Sequence, residues 1–254
     1  MQDVYEIEPL GECAVIIRLG ERIDEYVHYK VMRMSEHLEQ HPFAGWIEAV
    51  PSYAAVTIHY DPFAVYKSRR AAEKQHLTIY ETISKRLDYI LQNSLSNENF
   101  DSHQASIKAA LPVIVPVCYG GEYGPDLPFV AKHCGLTENE VIKLHAETDY
   151  LVYMIGFVPG FPYLGGMPEQ LATPRRAEPR LQIPAGSVGI AGGQTGIYPY
   201  ATPGGWQLIG RSPVKLFDAA KEPPSYLQAG IKLRFEPITP EQYAAIAAET
   251  VGAS

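Results

Sequence analysis

Arginines framed by proline and glycine are the residues of this chain best placed to do chemistry. Arg175 and Arg176 follow Thr173-Pro174, Arg180 follows Pro179, and Arg211 closes Gly204-Gly-Trp-Gln-Leu-Ile-Gly-Arg. A ring-locked φ beside residues without a Cβ pre-sets a guanidinium for a carboxylate or a phosphate. Gln194 and Thr195 sit inside Gly192-Gly-Gln-Thr-Gly196, where no apolar pattern explains them, and they fit contact with a ligand. His145 ends a predicted helix just before a strand. A charge switch near pH 7 there suits acid–base work, although the helix dipole alone also favours a C-terminal histidine. His145 and Arg175 are therefore the candidate catalytic residues.

Aromatic rings form the second group. Gly156-Phe-Val-Pro-Gly-Phe-Pro-Tyr-Leu-Gly-Gly-Met-Pro168 alternates rings with Gly and Pro, which reads as an irregular loop shaped residue by residue. Phe161 and Tyr163, separated by Pro162 and flanked by Gly, are harder to bury by regular packing than Phe157, which reads as core filling. Rigid aromatics of this kind serve recognition surfaces. The expected substrate-binding groove comprises Phe161, Tyr163, Gln194, Thr195, Tyr198, Trp206 and Arg211.

Several other chemistries find no support. Gly186–Gly196 has glycines but lacks the Lys of a P-loop, which leaves tight turns and a ligand-facing backbone both open. Ser187 is not a nucleophile elbow, because Ala185 stands where the first Gly is required and no helix follows. His37 and His41 are four apart, but Pro42 ends the helix and Leu38 stands where a metalloprotease has Glu, so no metal site is expected. Cys13, Cys118 and Cys134 lack a C-x-x-C pair and read as small buried groups. With 21 basic against 29 acidic residues and no basic cluster longer than a pair, nucleic acid is a poor partner. No apolar run is long enough for a membrane span and no signal peptide is evident, so a cytoplasmic protein is expected.

The elements that must position these residues fall into two groups. Only three of 21 Gly and four of 21 Pro precede Leu111, so the first part reads as regular α+β structure and the second as short strands with tight turns. The expected organisation is an α+β N-terminal domain over 1–95, a linker over 96–110, a β-barrel domain over 111–240 and a C-terminal tail over 241–254. In the first domain a strand over 13–19 leads to a helix opened by Asp24, with Val27, Val31, Met34 and Leu38 on one face and a stop at His41-Pro42. Strands over 46–50 and 54–60 follow, then a helix over 71–91 with Tyr80, Ile83, Leu87 and Ile90 inward. The order is βαββα, an antiparallel sheet with helices on one face. In the second domain Val113–Cys118 contains Pro116 and reads as an edge strand or a bulge. Asp126 caps a short helix, Thr137-Glu-Asn-Glu140 is a capping box for another, and strands follow at 150–155, 207–210, 213–217 and 230–235. That density of strands and turns suggests closure into a barrel.

The segments Gly156–Pro168, Thr173-Pro-Arg-Arg, Ile183–Pro199 and Thr202–Arg211, with Gly11-Glu-Cys-Ala-Val, His41-Pro-Phe and Arg234-Phe outside them, closely resemble the family of the bacterial 5-oxoprolinase B subunit. That family includes the Kip inhibitor of a sporulation histidine kinase and the first subunit of allophanate hydrolase-like complexes. The resemblance spans nearly the whole chain. It implies an all-β cyclophilin-like barrel for the C-terminal domain and a non-autonomous subunit of an ATP-dependent enzyme that opens 5-oxo-L-proline to L-glutamate. It also implies subunits A and C as partners, C the closest, with ATP and Mg²⁺ used at the level of the complex. Inhibition of a sensor histidine kinase, or an accessory place in an allophanate hydrolase-like complex, is the alternative that it carries.

Overall fold

The computed structural model describes residues 5–22, 24–93 and 111–252. The chain divides into two compact units, 1–108 and 109–254. The segment expected as a linker, 96–110, lies outside the described residues.

The first unit is built on a four-stranded antiparallel sheet in the order β1-β2-β4-β3, with β1 Glu6–Pro9, β2 Ala14–Arg18, β3 Trp46–Pro51 and β4 Ala55–Tyr60. Helix α1, Glu25–Gln40, opens where Asp24 accepts from the amides of Tyr26 and Val27. The register sets Val15 opposite Ile58 and Ile17 opposite Val56, so these four share one face. That face packs with Val31, Met34 and Leu38 of α1 in one hydrophobic core.

Two features of this unit differ from expectation. Strand β1 was not foreseen, because Glu6-Ile-Glu-Pro carries little apolar surface. The helix expected over 71–91 is divided. Helix α2, Pro62–Ser68, precedes α3, Ala71–His76, and α4, Ile79–Asn93. The break falls at Thr78, whose hydroxyl accepts from Glu81 N while the Glu81 carboxylate accepts from Thr78 N, a reciprocal cap that starts a new helix. Arg69 Nη1 donates to the Leu77 carbonyl left over at the break (2.6 Å). The inward stripe survives, with Ile83 and Leu87 fully buried.

The second unit holds a seven-stranded sheet in the order β10-β9-β12-β5-β13-β6-β7. Its strands are β5 Val113–Tyr119, β6 Asp149–Ile155, β7 Pro162–Gly165, β9 Ser187–Ala191, β10 Gln194–Ile197, β12 Gln207–Arg211 and β13 Lys232–Pro237. The two ends of the order, β7 and β10, lie against each other, so the sheet is a nearly closed barrel. A further pair, β8 Arg180–Ile183 and β11 Thr202–Gly204, forms a separate ribbon. Helices α5, Leu127–Cys134, and α6, Glu138–Ala146, follow β5. Val115, Val117, Tyr150, Val152, Leu233 and Phe235 are among the side chains of its core.

Here β5 is interior, not an edge. It pairs with β13 in parallel over Val113–Val117 and with β12 only at Cys118 and Tyr119. Pro116 therefore falls where the strand has one hydrogen-bonded neighbour, and its missing N–H breaks no second ladder. Residues 213–217 are not a strand; only Phe217 makes an isolated bridge, to Ser225. The stretch expected as a tail is helix α7, Pro240–Gly252, opened by a cap in which Thr239 and Gln242 exchange hydrogen bonds. With three α-helices among its described residues the unit is mixed α/β and not all-β. Among the described residues no helix is long and apolar enough to cross a membrane.

Candidate functional site

The glycine-rich segment 186–196 resolves into a hairpin, β9 turning at Gly192-Gly193 into β10. Side chains alternate across it. Thr195 and Ile197 point one way, and Ile197 joins the barrel core. Gln194 and Gly196 take the opposite face. There a Cβ on Gly196 would stand 3.2 Å from the Trp206 ring and 3.3 Å from the Phe161 ring. The glycine is a seat for rings and not a cradle for phosphate.

On that seat Phe161, Tyr198 and Trp206 form a small core with Ile183, Ala191 and Leu208. The rings meet edge to face, with centroids 5.6 to 6.1 Å apart. This corrects the expectation of a ring-lined groove: Phe161 is 3% exposed, Tyr198 4% and Trp206 8%. Large rings gain most by leaving water, and Gly196 gives them somewhere to go. Tyr163 is half-buried at the margin, against Phe161. Burial raises the Tyr198 hydroxyl to about 12, against the opposing charge of Arg175.

Phe157, read from sequence as core filling, is 68% exposed. Its φ is 68°, and Val158 N donates to Gly156 O across it (2.8 Å). A hydrogen bond two residues back with φ positive is a γ-turn of the rare, strained kind. Its ring stands edge-on to Phe161, with centroids 5.8 Å apart.

The loop 173–180 is tied down along most of its length. Thr173 bridges Gly192, Gln207 Nε2 donates to Pro174 O (3.0 Å), and Arg176 N donates to Gly205 O (2.7 Å). Arg176 and Arg180 both reach Asp126, whose carboxylate accepts from Arg176 Nη1 at 3.0 Å, Arg180 Nη1 at 2.7 Å, Arg180 Nη2 at 2.8 Å and Leu208 N at 2.7 Å. Asp126 stands at the start of α5 but makes no side-chain cap there, contrary to expectation, because these four donors fill its oxygens. Of the loop's three arginines, Arg175 is the one left exposed. Sequence reasoning missed this hub. The available signal was a loop with three arginines and one acid, which demands a carboxylate from elsewhere.

His145 does not face this surface. It is fully buried: Nδ1 lies 2.8 Å from Tyr119 Oη and Nε2 2.8 Å from Thr195 Oγ1. Thr195 Oγ1 also lies 3.1 Å from Gly189 O; with its hydrogen given to that carbonyl, it accepts from Nε2–H of His145, and Nδ1 accepts from Tyr119. Phe235 stacks on the imidazole at 4.5 Å. Burial lowers the His145 pKa to about 3, so the ring is neutral at pH 7 and acts as a cross-brace, not as the acid–base switch expected. Thr195, expected in the groove, is the other end of that brace. Arg211 places its guanidinium 5.7 Å from the Tyr123 ring centroid, and its Nε has no partner among the described residues. Its cross-strand neighbour Ser187 is wholly buried.

The structure thus sets the buried trio Phe161, Tyr198 and Trp206 on the outer face of one hairpin, the face that Gln194 shares, with Tyr163 at its margin and Arg175 exposed on the loop tied to Gly205 and Gln207, and takes His145 and Thr195 to the other face. Residues 5–227 match the model of the carboxyltransferase domain, subdomain C and D. That match sets the class. The chain is 43% identical over 247 residues to the 5-oxoprolinase B subunit of Bacillus subtilis (strain 168), covering 97% of this chain and 98% of that one. It is 41% identical to the protein of the same name from Escherichia coli O157:H7, over 90% and 94% of the two chains. The crystal structure of TTHA0988 is similar at 34% identity and a TM-score of 0.70, over 89% of this chain and 40% of that longer protein. The chain belongs to the family of the 5-oxoprolinase B subunit.

Proposed function

We propose that this chain is the B subunit of an ATP-dependent 5-oxoprolinase, opening the five-membered lactam of 5-oxo-L-proline to L-glutamate together with subunits A and C. The observation that carries the reading is the 43% identity along nearly the full length of a protein of that name. The nearly closed sheet is read as a cyclophilin-like barrel whose hairpin face presents the site. Arg175, exposed and held on a braced loop, would pair with the substrate carboxylate, and Gln194 would hydrogen-bond the lactam amide.

Hydrolysis of the lactam is poorly driven, and the chemistry that ATP supplies is phosphorylation of the lactam oxygen, which activates the ring carbon toward water. The glycine-rich segment of this chain lacks the Lys of a P-loop and is a packed hairpin, which supports a nucleotide site outside it. Nucleotide and Mg²⁺ are assigned to the partner subunits. The part of this chain is to bind, orient and exclude water.

The test is co-purification of the three subunits followed by 5-oxoproline-dependent phosphate release and glutamate formation. Arg175→Ala and Gln194→Ala should each lower turnover at least about tenfold, the loss expected for a charge-assisted or amide hydrogen bond to substrate, with the thermal midpoint unchanged. Unaltered turnover in both variants would refute the placement of the site. Phosphate release by this chain alone would refute the division of labour.

A further inference from the structure

The loop at Gly156–Phe161 carries an unexplained cost. An aromatic residue holds φ at 68°, a region that L side chains avoid, and it is left 68% exposed, so burial does not repay the strain. A glycine at 157 would make the same turn without penalty. Neither the backbone nor the core accounts for a phenylalanine there, and what remains is contact with something outside the chain.

We propose that Phe157 is a specificity-determining residue of the site, its ring face covering one face of the lactam ring of 5-oxo-L-proline. The inference rests on the functional reading above. Phe157 stands on Phe161, and Phe161 on Trp206; Arg175 sits between Pro174, whose carbonyl accepts from Gln207, and Arg176, whose amide donates to Gly205, so its backbone is tied down on both sides of that tryptophan. An exposed ring and the loop that carries an exposed arginine thus both rest on one three-ring base. The ligand chemistry that matches is a small ring with an apolar face and an attached carboxylate: the methylenes of the lactam meet the π face, and its carboxylate meets the arginine. The γ-turn fixes the direction of the Cα–Cβ bond, and the edge contact with Phe161 limits the ring's rotamers.

The experiment compares Phe157→Gly and Phe157→Tyr in the assembled complex with subunits A and C. Glycine relieves the backbone and removes the ring. The expected result is a thermal midpoint unchanged or raised, unaltered assembly on gel filtration, and a KM for 5-oxo-L-proline raised about tenfold, while Phe157→Tyr keeps the wild-type KM. A lowered midpoint with unchanged KM makes the ring a structural element and overturns the proposal. Loss of assembly in Phe157→Gly makes it a contact for a partner subunit and overturns it equally. If Phe157→Gly keeps its KM while Arg175→Ala loses turnover, only the present inference fails. If the wild-type complex neither binds nor opens 5-oxo-L-proline, both fail.

Discussion

A histidine braced between a phenol and a threonine behaves differently from one that shuttles protons, and pH separates the two. His145 is held near pKa 3 by burial, and the likewise buried His28 near 4, against an ordinary value of 6.5. Between those values the unfolded chain binds protons that the folded chain refuses, so stability rises with pH through this window and is lost as pH falls from about 6.5. For His145 the loss by pH 4 is on the order of 3 kcal/mol. Urea unfolding at pH 7, 5.5 and 4 should show this slope, and His145→Asn should be less stable at pH 7 yet distinctly flatter. Equal slopes in the two proteins would disprove the neutral-brace assignment. From sequence alone the position of His145 at a helix end was legible, but its partners lie 26 and 50 residues away and carry no local mark. The rings tell the same story. Phe157 and Phe161 each follow a Gly and have a Pro within two residues downstream, and the space above Gly196 takes the second of them.

Among elements, the braced loop 173–180 depends on a single carboxylate. Asp126 is itself buried and serves two part-exposed guanidinium groups and the buried Leu208 amide, and removing it would take that acceptor from all three. Asp126→Ala should therefore cost about 3 kcal/mol in denaturant unfolding, the range for breaking a buried ion pair by removing one member. A loss below about 1 kcal/mol, the level of a surface pair, would show that water replaces the carboxylate freely. Local grammar made most elements of the described residues readable: the Asp24 cap, the inward stripe of α1, the Thr137–Glu140 box and the strands at 150 and 207. It failed where the signal was nonlocal or ambiguous. Strand β1 has little apolar content, and the capping pattern at Thr78 was hidden inside a continuous apolar stripe. Pro116 argued against an interior strand that tertiary pairing nevertheless accommodates.

For the molecule as a whole, the pairing of β5 with β13 is the long-range commitment of the second unit. It is parallel, whereas the other strand pairs described are antiparallel, and it joins Val113 to Leu233. A chain ending after Ile231 would lack the strand that lies between β5 and β6 and should be recovered as aggregate. One ending after Thr239, without α7, should stay soluble with a lower thermal midpoint. Soluble, cooperatively unfolding protein from the shorter truncation would contradict the topology. The same pairing sets an order of events during synthesis. The first strand of this unit to emerge from the ribosome has as its neighbour the last one to be made, so for most of translation the barrel stands open along that seam. A prematurely stopped product exposes an unzipped strand edge for proteases and chaperones to recognise.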